Sequence, residues 1–477
     1  MKFIFGRISS DWLNGWGILL LVSVLALPLL TPRIYASDEI KYFSILRSVV
    51  FDRDLHFENE YQHFIEQDPV AHAGLVPFRD TVTPTGYRLN DAPIGTAVLW
   101  SPFYLAADLS VALVRLFGVS IERNGYSWPY VWAVCVASWF WGTLGLFLIF
   151  QWCRSYAGLF ASTLAVLAIW FASPIVFYLY ITPAMSHASS LFAAALFLYI
   201  WHRWRRDRSV LGWMGLGLVA GLVILVRELN WLFLIVLVID EGVSFLKKIS
   251  SDSERIRFKQ KRIDHFIGEC RLRASGYFAF LAVLFLVVIP QFYVYFTLNG
   301  IFGPSPFVVS KFSLVPVHFF DVLFSGFHGL FSWHPITLLG VVGLGVLWKR
   351  TQTVSIILCA VFVAQVVVVG SYDTWAGGAS FGARRFVNLS PIFALGLAVL
   401  FSSVAMRTRK FLVAGVVLLA MWNAGLAIQY STGLIPRDAP VTMSQIAYNQ
   451  VFEVPNSMRE TLWNFMFNRT SFYETRQ

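Results

Sequence analysis

Two patches of this chain combine ionisable residues with membrane-like surroundings. The first is the acidic pair Asp38-Glu39, placed directly after an apolar run from Trp16 through Ile34. Such a run is long enough to span a bilayer, which takes about 20 helical residues. A carboxylate at the centre of a spanning helix costs roughly 2.5–3.5 kcal/mol on insertion scales. Two side by side at the membrane edge cost less but repel each other. The pair therefore reads either as a functional site or as the solvated stop of the helix. The second patch is Tyr372-Asp-Thr-Trp-Ala-Gly-Gly-Ala-Ser-Phe-Gly-Ala-Arg-Arg385. Its glycines do not form a Gly-x-x-x-x-Gly-Lys phosphate loop. They still expose backbone N–H groups, and Arg384-Arg385 follow at once. A glycine-rich turn with two guanidinium groups suits a phosphate or a lipid headgroup. A juxtamembrane basic anchor is the other reading.

The elements that must position these residues are membrane helices. The chain has 477 residues, is 57% hydrophobic and only 13% charged, and has a mean hydropathy of +0.64. Soluble domains carry roughly 25% charged residues. Apolar runs fall at 16–36, 95–117, 128–150, 158–180, 187–201, 211–226, 230–246, 276–298, 331–348, 354–370, 386–404 and 411–429. The net charge of +10 comes from basic loops rather than from a nucleic-acid surface, since no basic patch is interleaved with stacking aromatics. Basic segments at 202–208, 247–274, 349–350 and 407–410 mark the cytoplasmic face, with Lys2 and Arg7 at a cytoplasmic N-terminus. The first run exceeds the 7–15 residues of a signal core and is read as a retained helix. Twelve runs cannot join an inside N-terminus to an outside tail. The expected number of crossings is therefore odd, 11 or 13, with the discrepancy lying between residues 95 and 157.

This count places 37–94, 181–186, 227–230, 299–330, 371–385 and a tail at 431–477 on the external face. Polar residues collect there: Asp38, Glu39, Lys41 and Tyr42; His187 after the break at Pro183; Arg227, Glu228 and Asn230; His318 and His328; and Asp373 to Arg385. Their convergence on one face is the main argument for an active site. His187 also reads as a satisfied interfacial histidine, and Arg227-Glu228 as a local ion pair. Asp52, Asp54, His56, Glu58, Glu60 and His63 match no metal-ligand spacing and are read as part of an amphipathic surface helix. Cys135, Cys153, Cys270 and Cys359 suggest neither a zinc site nor a disulfide framework.

Two segments carry a family resemblance. Ser37-Asp-Glu-Ile-Lys-Tyr42 follows the first helix, and Asn90-Asp-Ala-Pro-Ile-Gly-Thr-Ala-Val-Leu-Trp-Ser-Pro102 follows the first external loop. Together with the loop length, they resemble the C superfamily of glycosyltransferases (GT-C), in the branch of the protein O-mannosyltransferases, aminoarabinose transferases and Rgt-type enzymes. The resemblance covers residues 10–230 in order and spacing. It implies an all-α polytopic bundle of 11–13 transmembrane helices, whose first external loop carries short interfacial helices. A transmembrane domain over 1–430 and a short external tail at 431–477 follow. The implied activity is inverting transfer of a sugar from a polyprenyl-phosphate donor to a hydroxyl of a glycan, lipid or protein, on the periplasmic side of the cell membrane.

In that scheme Asp38 is the general base and Glu39 orients the acceptor or holds a cation. Arg227, Arg384, Arg385 and Lys41 face the donor phosphate, while His187, Tyr42, Asp91, Glu228, Asp373 and Trp375 line the substrates. No Asp-x-Asp motif opens the first loop, so a divalent metal is not indicated and no cofactor is expected. The alternative class is a transporter or lipid flippase, which calls for midplane charges and internal repeats. This chain shows its charges at one face and no repeat.

Overall fold

The structure, a computed structural model, describes residues 10–205, 209–255, 259–313, 315 and 317–469. Lys2 and Arg7, residues 206–208 of the first basic segment, 256–258 of the basic loop and 470–477 of the tail lie outside these. The helices of ten or more residues are α1 (Ser10–Leu25), α2 (Ser37–Arg47), α3 (Glu58–Gln67), α4 (Gly95–Leu116), α5 (Trp128–Arg154), α6 (Leu159–Phe171), α7 (His187–Trp204) and α8 (Val210–Val226). After them come α9 (Leu234–Arg255), α10 (Lys259–Asn299), α11 (Pro335–Trp348), α12 (Gln352–Gly370), α13 (Ser390–Ser402), α14 (Arg409–Thr432) and α15 (Val454–Phe467). Seven helices, α4 among them, are long and apolar enough to cross a bilayer, and four shorter apolar helices accompany them. The chain is a multi-pass membrane protein. The stretch expected as a basic loop at 247–274 is helical on both sides of 256–258.

Contacts between helix ends define two faces of the bundle. Arg350 donates to the Tyr156 carbonyl and to Ser402 Oγ, each at 2.8 Å, and Tyr156 Oη meets His202 Nδ1 at 3.3 Å. The C-terminal ends of α5, α7, α11 and α13 therefore share one face. On the opposite face the Thr31 amide donates to the Tyr180 carbonyl at 2.7 Å, and Tyr178 Oη donates to the Phe381 carbonyl at 2.9 Å.

The run at 95–117 falls within the stretch where the odd-even conflict lies. Both ends of α4 are tied to the face that carries α2 and α3. At its start, the Ile94 amide donates to Gln291 and Asn90 donates to the Lys41 carbonyl. Beyond its end, Tyr104 donates to the Gly125 carbonyl, and Tyr126 stacks on His63 with centroids 3.8 Å apart. In between, α4 runs beside α2, with Tyr42 against Trp100 and Phe43 against Tyr104. Leu105, Leu109, Leu113 and Leu116 form an exposed stripe at three- and four-residue spacing. That stripe is a lipid-facing surface, which a helix lying along the membrane and a helix crossing it both present. With α4 set aside, ten of the apolar helices remain among the described residues, and α7 brings the number to eleven, equal to the lower of the expected numbers of crossings.

Small residues let the bundle close. A Cβ on Gly343 of α11 would lie 2.0 Å from the Gly396 carbonyl oxygen of α13, and one on Gly396 would lie 2.0 Å from that of Gly340. Helices in lipid gain from such backbone approach, because the bilayer gives no hydrophobic drive to associate. A second apolar core joins Ile40, Phe43, Phe57, Tyr61 and Trp100 to Val134, Leu225 and Val288 of the bundle helices, and so seats the first loop on the bundle as a cap.

Candidate active site

Asp38 stands in the first turn of α2, where an exposed N-terminal helix end favours a carboxylate. Its Oδ1 lies 3.0 Å from Lys41 Nζ, one turn along the same helix, and its Oδ2 accepts from Arg384 Nη1 at 2.9 Å. Lys41 also pairs with Asp91. Burial alone would raise the Asp38 pKa, but Lys41 and Arg384 overcome it and hold the carboxyl well below the usual range. Asp38 Oδ1, Lys41 and Asp91 form a chain of alternating charge at the surface of the cap, and Arg384 closes it from the far end of the sequence. The Asp38 side chain keeps 37% of its exposure, so the group stays reachable.

The glycine-rich turn delivers the arginines. Gly377, Gly378 and Gly382 all take positive φ, between 59° and 81°. A Cβ on Gly382 would sit 2.2 Å from His334 Nε2, so side chains are excluded there on both backbone and steric grounds. Arg384 spans the turn, donating to the Gly377 carbonyl at 2.8 Å as well as to Asp38. Arg385 donates to the carbonyl and hydroxyl of Thr374, and its guanidinium lies 5.0 Å above the Tyr372 ring. Arg227 Nη1 meets His187 Nδ1 at 2.7 Å, and the imidazole packs against Tyr178 at 4.3 Å. An arginine always donates, so His187 Nδ1 accepts and its proton sits on Nε2.

Asp38, Lys41, Asp91, Arg384, Arg385, Arg227 and His187 are thus brought to one end of the bundle, and Tyr42 joins them between Trp100 and Ser186. Trp375 stacks on His318 at 5.6 Å and lines a small cleft with His328, Arg384 and Arg385. Three expected residues take other partners. Glu39 is buried, and its Oε2 accepts from the Tyr35 and Ala36 amides at 2.8 and 3.0 Å, so it caps α2. Glu228 accepts from Tyr295 Oη. Asp373 is exposed, and only its backbone amide is engaged, donating to the Lys311 carbonyl at 3.0 Å.

The acidic and histidine residues of the first loop are engaged separately. Asp52 and the fully buried Glu60 both accept from Arg47, Asp54 accepts from Ser48, and His56 stacks on Tyr87. Among the described residues no cluster has the makings of a metal site.

Sequence reading missed the support behind Arg385. Gln365 Nε2 donates to the Arg385 carbonyl at 2.6 Å and to Asn388 Oδ1 at 2.8 Å, and Asn388 Nδ2 donates to Asn230 Oδ1 at 2.9 Å. Asn230 in turn donates to Ser190 and to the Val223 carbonyl. This buried network ties α12, the turn before α13, the α8–α9 junction and α7. His328, noted on the external face from the sequence, is buried and non-glycine with φ of 61°. Its Nδ1 pairs with the Ala376 carbonyl at 2.9 Å, and burial pushes its pKa down to about 4.

Comparison with known proteins adds the class. No family model matches the chain, and no curated protein does. Among solved structures, the fold is similar to the apo-state crystal structure of ArnT from Cupriavidus metallidurans, with a TM-score of 0.51 and 14% identity. The match covers 96% of this chain and 78% of that one. The chain therefore shares its overall fold with that ArnT structure.

Proposed function

We propose that this protein is a membrane glycosyltransferase that moves a sugar from a polyprenyl-phosphate donor to an acceptor hydroxyl at the external face, with inversion. The observation that carries the reading is the ion triad of Asp38 with Lys41 and Arg384, set beside the second arginine of the same turn. Inversion requires one direct displacement. The acceptor oxygen forms a bond to the anomeric carbon as the bond from that carbon to the phosphate oxygen breaks. The acceptor proton passes to Asp38, and the electron pair leaves with the polyprenyl phosphate. Charge builds on that phosphate, where guanidinium donors stabilise it most.

The triad supplies a reason for order in binding. While Lys41 and Arg384 hold Asp38, its carboxylate is a weak base. A phosphate placed against the cations gives them another anion to neutralise and raises the basicity of Asp38 as the donor arrives. Glu39 then positions α2 rather than touching substrate, and Arg227 with His187 completes the cationic wall. The grouping of these charges at one end of the bundle, rather than along a path through it, supports an enzyme over a transporter. The test is to incubate purified protein with a panel of polyprenyl-phosphate sugars and an acceptor extract. Loss of the lipid-linked sugar in wild type but not in Asp38→Asn is the expected result. Consumption of no donor, or equal consumption by both proteins, overturns the reading.

A further inference from the structure

We propose that Lys311 is a further ligand for the donor phosphate, carried to the site on a strap whose outer side faces lipid. The inference rests on the donor class proposed above and adds a residue and an approach path. The strap is the segment between α10 and α11, and it is pinned to the start of the glycine-rich turn. Phe312 bridges Tyr372, the Ser313 amide donates to the Ser371 carbonyl at 2.7 Å, and the Asp373 amide donates to the Lys311 carbonyl at 3.0 Å. Asp373, whose amide holds Lys311 by its backbone, lies between Tyr372 and Thr374, the two residues that hold the Arg385 side chain.

A second chain of contacts reaches the site from the other side. Lys311 Nζ sits 3.6 Å above the Phe307 ring, and Phe307 meets Phe78 edge to face at 6.1 Å. The far partner of Phe78 is Lys41, whose Nζ lies 4.1 Å from that ring. Two ammonium groups thus rest on two touching aromatic rings. Lys41 is spent on Asp38 and Asp91, whereas Lys311 forms no ion pair among the described residues. The half-buried Lys311 ammonium rests on an aromatic ring, within the electrostatic reach of Lys41 and Arg385, and keeps its charge for an incoming anion.

The outer side of the strap says what kind of anion. Phe302, Val309, Val315, Val317 and Phe320 are each more than half exposed. Phe302 stacks on Phe296 of α10 at 4.7 Å, which continues the exposed apolar flank of that helix into the strap. One segment therefore offers a cation on the aromatic pair that leads to Lys41 and a series of exposed apolar side chains at its described positions. A phosphate bearing a long hydrocarbon chain matches both, and an inorganic phosphate matches only one.

Binding of farnesyl phosphate to the purified full-length protein in detergent tests this, with inorganic phosphate, farnesol and phosphatidylglycerol as the other arms. Wild type should bind farnesyl phosphate saturably and the other three poorly. Lys311→Gln should weaken farnesyl phosphate binding about tenfold, as loss of a charge-assisted contact does. Lys311→Arg should restore most of it, and both variants should melt with wild type. If wild type binds no farnesyl phosphate, the donor class itself fails. If wild type binds it and Lys311→Gln binds equally well, that class survives and the role of Lys311 is overturned. Lys311-dependent binding of inorganic phosphate or phosphatidylglycerol at equal strength overturns the match to a prenyl chain. Failure of Lys311→Arg to restore binding overturns the ligand role as well.

Discussion

At the scale of single residues, the site makes separable demands. Asp38→Asn keeps the shape of the side chain but cannot accept a proton, and should lower transfer by roughly 10²–10⁴-fold with expression unchanged, which steady-state assays will show. The two arginines should differ. Arg384 uses its fork to bridge Asp38 and the Gly377 carbonyl, which a single ammonium cannot do. Arg384→Lys should therefore lose at least about tenfold in activity. Arg385 is held by Thr374 and Tyr372, so Arg385→Lys keeps the charge but loosens its aim and should raise donor KM more than it lowers kcat. Equal, wild-type behaviour of both variants would leave the phosphate to Arg227.

His328 gives a pH effect at the same scale. Its folded pKa of about 4 lies below that of an exposed histidine, near 6.5. As pH falls between those values, the unfolded chain takes up a proton that the folded protein refuses. Stability is therefore lost across this window, and the loss is complete below about pH 4. His328→Asn tolerates the positive φ and does not titrate there. Its melting temperature should fall less than that of wild type between pH 6.5 and 4, and parallel curves would remove His328 as the cause.

At the scale of elements, legibility divides by chemistry. Counting basic residues brought Asp38, His187, Arg227 and Arg384 to one face, because charge is excluded from the bilayer interior and so reports topology. The cap formed by Glu39 was not legible, since an acidic residue in the first turn of a helix looks the same whether it serves a ligand or the Tyr35 and Ala36 amides. Gln365 and Asn388 were missed because neutral amides leave no mark on a hydropathy profile, and Asn230, noted on the external face, gave no sign of its partners, since these bonds exist only once elements distant in sequence meet. The glycines of the turn were read as an invitation to phosphate, whereas the structure gives Gly382 a packing reason as well. Gly382→Ala should destabilise the protein by about 1–3 kcal/mol, from the left-handed backbone and the contact with His334. Thermal melting in detergent measures it, and an unchanged melting point would show that the turn yields.

At the scale of the whole molecule, α4 changes the topology. Its apolar content meets the requirement for a span, while its contacts with α2 and the Gly125 turn predict that it returns to the face it left. Val119→Cys in a cysteine-free background should react with a membrane-impermeant maleimide from the same side as the first loop. Reaction only after permeabilisation would restore α4 as a crossing.

The bond between Asp38 and Arg384 joins positions 346 apart in sequence. During synthesis the carboxylate emerges long before its guanidinium partner, and most of the membrane helices must be inserted in between. Had Asp38 lain at mid-membrane, it would have waited there as an unpaired charge. On α2, at the water-facing edge of the cap, it waits solvated and beside Lys41. A nascent chain therefore carries a tolerable half-site, and the candidate site is completed only when the turn before α13 docks. A chain truncated before that turn should insert and remain in the membrane without holding donor. The location of the site thus solves a problem of biogenesis as well as one of chemistry.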